Sequence, residues 1–412
     1  MIWLYRIFAR FIYLLLYPVG RWRAAGGDDL WRGRLALECD VKPVDIWMHA
    51  ASVGEVKVLA NLVTYLKETL PEIRIHITTM TRTGMATAQT IMADKASVSA
   101  FPIDSTPAVT RKLALLQPQM IIVAETEIWP NLIRLATRQD IMLVLVNGRM
   151  TERSLSRYLR FKSSLGRLLA GYDRFFFKSE GDRDRFSRFG LDPARIEVTG
   201  DMKFDAPFIE RSETRVNETR GQLGIGGDDF LIVAGSTRPG EESLLLGIFT
   251  QLKINYPGLR LTLAPRHLER LNEVKKILAE SGLNFTTLGE TVSDSDVILV
   301  DRMGVLNSLY EAADLAFVGG TLVDIGGHNL LEPVWALTPV VYGPSLNNVI
   351  EAAEYIECHN YGVRVDSVDE LKTIIEDVIA GRRDFSVRDR SDLEQSVVAT
   401  VGRYILEQFA HA

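Results

Sequence analysis

The sequence predicts two open α/β domains, each built on a parallel sheet. Three observations carry this. The chain has 412 residues, more than one ordinary hydrophobic core organises. From Asp45 onward short β-branched runs alternate with amphipathic helical patterns, the signature of strand–helix–strand units. That alternation pauses at a polar stretch, Ala206–Asp229, and then begins again. The expected organisation is an N-terminal segment over 1–35, a first domain over 36–205, a linker over 206–229, and a second domain over 230–412 that ends in a helix.

In the first half the expected strands are Ile46–His49, Ile73–Thr79, Met120–Ala124, Met142–Asn147, Arg174–Phe177 and Ile196–Thr199. Helical patterns lie between them, among them Val56–Lys67, Pro107–Leu116 and Ser154–Leu169. In the second half the strands are Phe230–Ala234, Arg260–Ala264, Val297–Val300, Leu315–Val318 and Val340–Tyr342. Ligands of such sheets sit beyond the carboxyl ends of the strands, so the loops that follow strands are where chemistry is expected.

Composition narrows the function. Apolar residues make up 47% and charged residues 24%, a globular balance, and the net charge of −6 argues against nucleic-acid binding. Cys39 and Cys358 are the two cysteines, too few for a disulfide framework. The histidines lack metal-ligand spacing and no G-x-G-x-x-G turn is present, so neither a metal site nor a nicotinamide cofactor is expected. Residues Ile2–Val19 are rich in aromatic and aliphatic side chains, yet Arg6 and Arg10 interrupt them and Arg21, Arg23, Arg32 and Arg34 follow. The uncharged run Phe11–Val19 is too short to span a bilayer. This pattern predicts a segment lying in a membrane interface and held to anionic lipid; a buried helix docked on the body is the alternative.

The strand-end loops divide by chemistry. Phe317–Pro333 contains two Gly-Gly pairs, a polar cluster and a proline-led helix start. Glycines permit positive φ and close backbone approach, and the helix start offers unpaired N–H groups, a combination suited to a sugar nucleotide. Proline at the first helical position would place Glu332 at the helix lip, where it accepts from ribose hydroxyls while Asn329 fixes the nucleotide. In His49-Ala50-Ala51-Ser52-Val53-Gly54-Glu55, Glu55 is either a first-turn carboxylate complementing the helix dipole or a general base. Glu125-Thr126-Glu127-Ile128-Trp129-Pro130 sets two carboxylates at a strand end, where they raise each other's pKa. Trp129 either stacks on a sugar or packs. Lys203, in Gly200–Asp205, either neutralises a developing negative charge or snorkels at the surface. Gly235–Glu242 resembles an anion-binding turn without the P-loop ending, and Arg266 of Pro265-Arg266-His267 is suited to fork onto a phosphate.

Taken in order, the segments HAASVGE, TTMTRTG, ETEIWPN, NGRM, GDMKFD, GSTRPGEE, PRH, FVGG and GGHNLLEP resemble the 3-deoxy-D-manno-octulosonic acid (Kdo) transferases of lipid A assembly. The resemblance implies a glycosyltransferase-B fold of two Rossmann-like domains facing a central cleft. It implies inverting, metal-independent transfer of Kdo from CMP-Kdo, a donor substrate rather than a cofactor, to a lipid A precursor. Glu55 would be the proton acceptor, with Glu125 and Lys203 assisting the transition state. CMP contacts would fall on Pro265, Arg266, Met303, Gly304, Asn329, Leu330, Leu331 and Glu332. It also implies residence at the cytoplasmic face of the inner membrane of a Gram-negative-type bacterium. Two positions depart from the family pattern: Val305 stands where M-G-E is common, and Ser345 where G-P-H is common. A transferase using another nucleotide sugar, or a non-catalytic nucleotide-sugar binding protein, is the alternative reading.

Overall fold

The computed structural model describes residues 2–38, 41–205, 212–290, 295–386 and 396–410; Cys39 and the first part of the expected linker lie outside them. The chain forms two compact units, Met1–Pro207 with Leu393–Ala412, and Phe208–Asp392.

The first unit holds strands β1 (Ile46–Ala50), β2 (Ile75–Thr79), β3 (Ser97–Ala100), β4 (Met120–Ala124), β5 (Met142–Gly148), β6 (Arg174–Phe177) and β7 (Ile196–Val198). They pair in parallel in the order β3-β2-β1-β4-β5-β6-β7. Helices α1 (Ile2–Ala25), α2 (Asp29–Leu35), α3 (Val53–Thr69), α4 (Arg82–Ile91), α5 (Thr106–Leu116), α6 (Pro130–Arg138), α7 (Glu152–Leu159), α8 (Lys162–Leu169) and α9 (Glu180–Ser187) accompany them. Central strands β1, β2 and β4 are buried along their whole length because both faces are covered, and β4 accordingly reads as an unbroken apolar run. Trp47, Ile121 and Val123 pack on one face, while Ile46, Met48 and Ile122 pack on the other.

The second unit repeats the plan. Strands β8 (Phe230–Thr237), β9 (Leu259–Pro265), β10 (Phe285–Thr287), β11 (Val297–Leu299), β12 (Leu315–Val318), β13 (Val340–Tyr342) and β14 (Gly362–Arg364) pair in parallel in the order β10-β11-β9-β8-β12-β13-β14. Its helices are α10 (Glu213–Gln222), α11 (Glu241–Lys253), α12 (Leu271–Ser281), α13 (Leu306–Ala312), α14 (Leu331–Trp335), α15 (Ile350–Cys358) and α16 (Val368–Ile379). In each sheet the winding direction reverses once, between β1 and β4 and between β8 and β12. A doubly wound sheet opens a ligand crevice at that switch point.

Four expectations change. Strands β3, β10 and β14 were not expected; each is a sheet edge of three or four residues, too short to show a periodic signal. The single helix expected over Ser154–Leu169 is two, α7 and α8, broken at Arg160-Phe161. Part of the expected linker is helix α10, whose Arg220 bonds Ala312 O and pairs with Asp314 inside the second unit. The final helix, α17 (Val397–Ala410), joins the first unit instead of the second. Val398, Val401 and Ile405 enter the core beside α3, and the Val398 N–H donates to Asp205 Oδ2 at 2.7 Å. Gly402 is required there because any Cβ would stand 2.3 Å from the Tyr65 ring.

The N-terminal segment is one helix with two characters. Tyr13 and Ala24 pack with Trp31, Leu35 and Ala108, and the Tyr5 hydroxyl donates to Asp104 Oδ2 at 2.8 Å. Trp3, Leu4, Ile7, Phe8, Phe11, Leu14, Leu15, Val19 and Trp22 are exposed and recur at helical spacing, so they form one apolar stripe. No described helix is long and apolar enough to cross a membrane.

Because α17 closes the first core, Ile405→Ala is expected to destabilise that unit by about 2–5 kcal/mol. Chemical denaturation followed at tryptophan checks this; an unchanged midpoint would show that α17 is dispensable to the core.

Candidate functional site

In the first unit the polar site grows from the ends of β1, β4 and β5. Ser52 caps α3 by accepting from the Glu55 N–H at 3.3 Å, and its hydroxyl donates to Glu55 Oε1 at 2.8 Å. The Ala51 N–H donates to Glu55 Oε2 at 2.6 Å. Glu55 is therefore a reciprocal cap and a buried carboxylate, 7% exposed, fixed at the β1/β4 switch point. Each oxygen keeps a further lone pair for a proton.

The backbone turns sharply beside it. Glu125 sits in the left-handed region at φ 56°, and its Oε2 pairs with Arg149 Nε at 2.8 Å. Burial pushes its carboxyl up, Arg149 opposes that, Glu55 adds to it, and Lys178 and Lys203 oppose it. Among the described residues no cation opposes the rise at Glu127. Burial, then Glu55 and Glu125, push it up to about 7. Trp129 packs instead of standing free: its ring lies 4.8 Å from Phe101 and 6.1 Å from His49. His49 is buried against Phe101, and desolvation holds it near 3, hence neutral.

Lys203 stands on a 3-10 turn, Met202–Phe204, that two side chains hold. Asp201 Oδ1 accepts from the Lys203 N–H at 3.0 Å, and Asn147 Oδ1, itself at φ 54°, accepts from the Met202 N–H at 3.0 Å. Lys178 pairs with Asp201 at 2.5 Å. The Lys203 side chain is exposed and acts electrostatically on Glu125. Glu55, Glu125 and Lys203 thus come together. Glu127, Arg149, Asn147 and Lys178 join them without having been singled out as site residues; all but Lys178 lie in loops the sequence had already flagged.

In the second unit a buried carboxylate organises the switch point between β8 and β12. Glu241, the first residue of α11, accepts from the Arg238 and Gly320 N–H groups at 2.9 and 2.8 Å and from those of Thr321 and Leu322 at 3.1 and 3.0 Å. Gly319 must be glycine for the same junction: a Cβ there would stand 2.3 Å from Ser236 O. Gly320, Gly326 and Gly327 all have positive φ. At Gly319 the close backbone approach is to the neighbouring turn. Ser345, at the place of the family's histidine, accepts from the Gly326 N–H at 2.9 Å and so braces that loop.

A basic cluster flanks it. Arg238 donates through Nε to His328 Nε2 at 2.9 Å, and its Nη1 lies 2.7 Å from His267 Nε2. Burial, then Arg238, Arg266 and His267, press His328 down to about 4. Pro265 is buried at the end of β9, which leaves the exposed Arg266 side chain beside the cluster. Asn329 Oδ1 accepts from the Leu331 N–H and its Nδ2 donates to Glu332 Oε1, both at 3.2 Å. Leu330 and Leu331 bury their side chains. Met303, 63% exposed, and Gly304 stand on the loop before α13, and no described hydrogen bond ties them to the cluster.

Two expectations about α14 are corrected. The helix begins at Leu331, so Pro333 is its third residue rather than its first. This is tolerated because the first-turn N–H groups have no intrahelical acceptor anyway. At five residues α14 is also too short to build a useful dipole, so the positive charge near it comes from side chains.

The two Rossmann-like units define a glycosyltransferase-B type α/β protein. The crystal structure of a UDP-GlcNAc 2-epimerase from Neisseria meningitidis bound to UDP-GlcNAc aligns with a TM-score of 0.56 at 13% identity, covering 89% of this chain and 100% of that one. Such identity shows the fold alone. The family model described as 3-Deoxy-D-manno-octulosonic-acid transferase (kdotransferase) matches residues 29–206. A 3-deoxy-D-manno-octulosonic acid transferase of Haemophilus influenzae is 33% identical over 312 residues, 75% of this chain and 73% of that one. One of Aquifex aeolicus is 31% identical over 347 residues, 84% and 89% of the two chains. The chain belongs to this transferase family and is a glycosyltransferase. It also spans about half (52%) of a bifunctional glycosyltransferase/methyltransferase of Fusobacterium nucleatum, at 36% identity.

Glu127 yields a pH prediction. Its folded pKa of about 7 lies above the ordinary 4.5, so the folded chain holds this proton more tightly than the unfolded chain. Its contribution to stability is then greatest at low pH and falls as pH rises from about 4.5 to 7. Glu127→Gln should be more stable than the parent at about pH 8 and should lose that advantage at about pH 4. Urea unfolding at the two pH values checks it; a pH-independent difference would contradict the assignment.

Proposed function

We propose that the protein transfers Kdo from CMP-Kdo to the lipid A precursor lipid IVA in lipopolysaccharide biosynthesis, with inversion at the anomeric carbon and without a metal ion. One observation carries this reading: in a chain of the Kdo transferase family, a buried carboxylate, Glu55, is fixed at the switch point of the first sheet. In the reaction Glu55 takes the proton of an acceptor sugar hydroxyl as that oxygen bonds to the anomeric carbon. The bond from that carbon to the phosphate oxygen breaks, and CMP departs with the electron pair. Glu125 stabilises the positive charge that develops at the sugar, and Lys203 and Arg266 supply countercharge for the departing phosphate. Asn329 and Glu332, together with the backbone of Leu330 and Leu331, hold the nucleoside; Pro265, Met303 and Gly304 complete the CMP contacts.

Glu55→Gln separates the two roles of this residue. Glutamine at the third position of a helix preserves the reciprocal cap but cannot take the proton. Transfer of radiolabelled Kdo to tetraacylated lipid A precursor is expected to fall about 10²- to 10⁴-fold with CMP binding retained. Unchanged turnover would remove Glu55 as the base.

The acceptor is a lipid, and the exposed stripe of α1 supports seating at the cytoplasmic face of the inner membrane, with Arg21 and Arg23 near anionic headgroups. Phe8→Glu with Leu15→Glu is expected to weaken co-sedimentation with anionic phosphatidylglycerol vesicles at least tenfold, since each buried side chain contributes about 1.5–3 kcal/mol. Undiminished co-sedimentation would show that another surface binds the membrane.

A further inference from the structure

The described hydrogen bonds of the Arg238 side chain go to two imidazoles, His328 Nε2 at 2.9 Å and His267 Nε2 at 2.7 Å. A guanidinium carries only donors and does not lose its proton, so each facing ring nitrogen must be the bare acceptor. The His328 ring then keeps its proton on Nδ1. The depression of His328 to about 4 agrees with this protonation state. Carboxylates, the ordinary partners of an arginine, are committed elsewhere. Glu241 spends both oxygens on four backbone N–H groups, and Glu242 takes Thr237 Oγ1 and the Arg270 guanidinium. The imidazoles orient Arg238 without cancelling its charge. No described residue takes the Nη2 hydrogens.

The backbone beneath it is equally constrained. Ser236 holds φ 57° at the irregularity between Gly235 and Thr237, and Glu241 clamps the Arg238 N–H itself. A strained, braced turn at the carboxyl end of β8 thus carries Arg238 beside the switch point.

We propose that Arg238 is an oxyanion-binding residue of the donor site, presenting its free Nη2 edge to a phosphate or carboxylate of an acidic sugar nucleotide, with His267 and His328 as positioning residues that hold the fork. The assignment rests on the donor reading above and adds to Arg266 a ligand with fixed geometry.

The test compares the full-length parent with Arg238→Met, Arg238→Lys, and His328→Gln against His328→Ala, titrated with CMP and with cytidine, alongside KM for CMP-Kdo. Arg238→Met should weaken CMP about 10- to 100-fold and leave cytidine unchanged, because a charge-assisted pair is lost and the base contacts are not. Lysine should restore part, having the charge without the fork. His328→Gln should stay closer to the parent than His328→Ala, since the amide oxygen still accepts from Nε. Retained CMP affinity with a raised KM for CMP-Kdo would also support the proposal and place the fork on the sugar carboxylate. Unchanged CMP affinity with unchanged KM would overturn it. So would equal losses of CMP and cytidine with a lowered unfolding midpoint, which would make Arg238 a brace. If the parent prefers UMP to CMP, the CMP reading fails while the same comparison, made with UMP and uridine, still decides Arg238. If the parent binds no nucleotide, both fall.

Discussion

The second unit's site depends on one carboxylate. Glu241 lies at the start of α11, fully buried, and its two oxygens collect four backbone N–H groups from two different loops. Burial pushes its carboxyl up and the four donors pull against that rise. A buried amide without an acceptor costs about 1–3 kcal/mol, so Glu241 allows both turns to be buried at once. It also sets their relation: the turn after β8 carries Arg238, and the turn after β12 carries the glycines that lead to His328, Asn329 and Glu332. Gly319 belongs to the same device, since the Ser236 carbonyl occupies the space any side chain would need.

The first unit solves its version of the problem with strain. Glu125 and Asn147, at the ends of β4 and β5, are non-glycine residues in the left-handed region, as Ser236 is at the end of β8. Each costs of order 1–3 kcal/mol and persists where its surroundings over-determine it. The surroundings are identifiable. Glu125 donates its N–H to Val146 O at 2.9 Å and pairs with Arg149, and Asn147 accepts from the Met202 N–H. The conformation turns the chain away from the sheet so that side chains at β4, β5 and the 3-10 turn converge. Glu55 and Glu125 both raise Glu127, and Glu55 raises Glu125, where one arginine and two lysines oppose the rise.

Much of this was legible in the sequence because central parallel strands and strand-end loops carry strong signals. Met120–Ala124 and Leu231–Ala234 are buried and hold only apolar residues, so their runs are unbroken. The glycines at 319, 320, 326 and 327 announced a backbone constraint correctly: Gly319 lies against the facing turn, and the other three hold positive φ. What was illegible was non-local. Nothing in Val397–Ala410 states that it packs on α3 from the other end of the chain, because an amphipathic helix fits either domain. Glu241 reads as an ordinary first-turn acid, since its four partners lie partly 80 residues away. Pro333 misled because proline is best known at the first helical position, yet any first-turn position spares the helix a hydrogen bond.

The two sites solve opposite electrostatic problems with the same fold. The proposed proton acceptor, Glu55, stands among like charges that the first sheet gathers in the loops after β1 and β4. A departing phosphate needs positive charge that no resident carboxylate cancels. For the proposed function the second sheet supplies it by assigning Glu241 to backbone amides and Glu242 to Arg270, so that the described side-chain partners of Arg238 are imidazoles. Sheet topology fixes where these charges gather; the side chains taken out of service by local hydrogen bonds fix their sign.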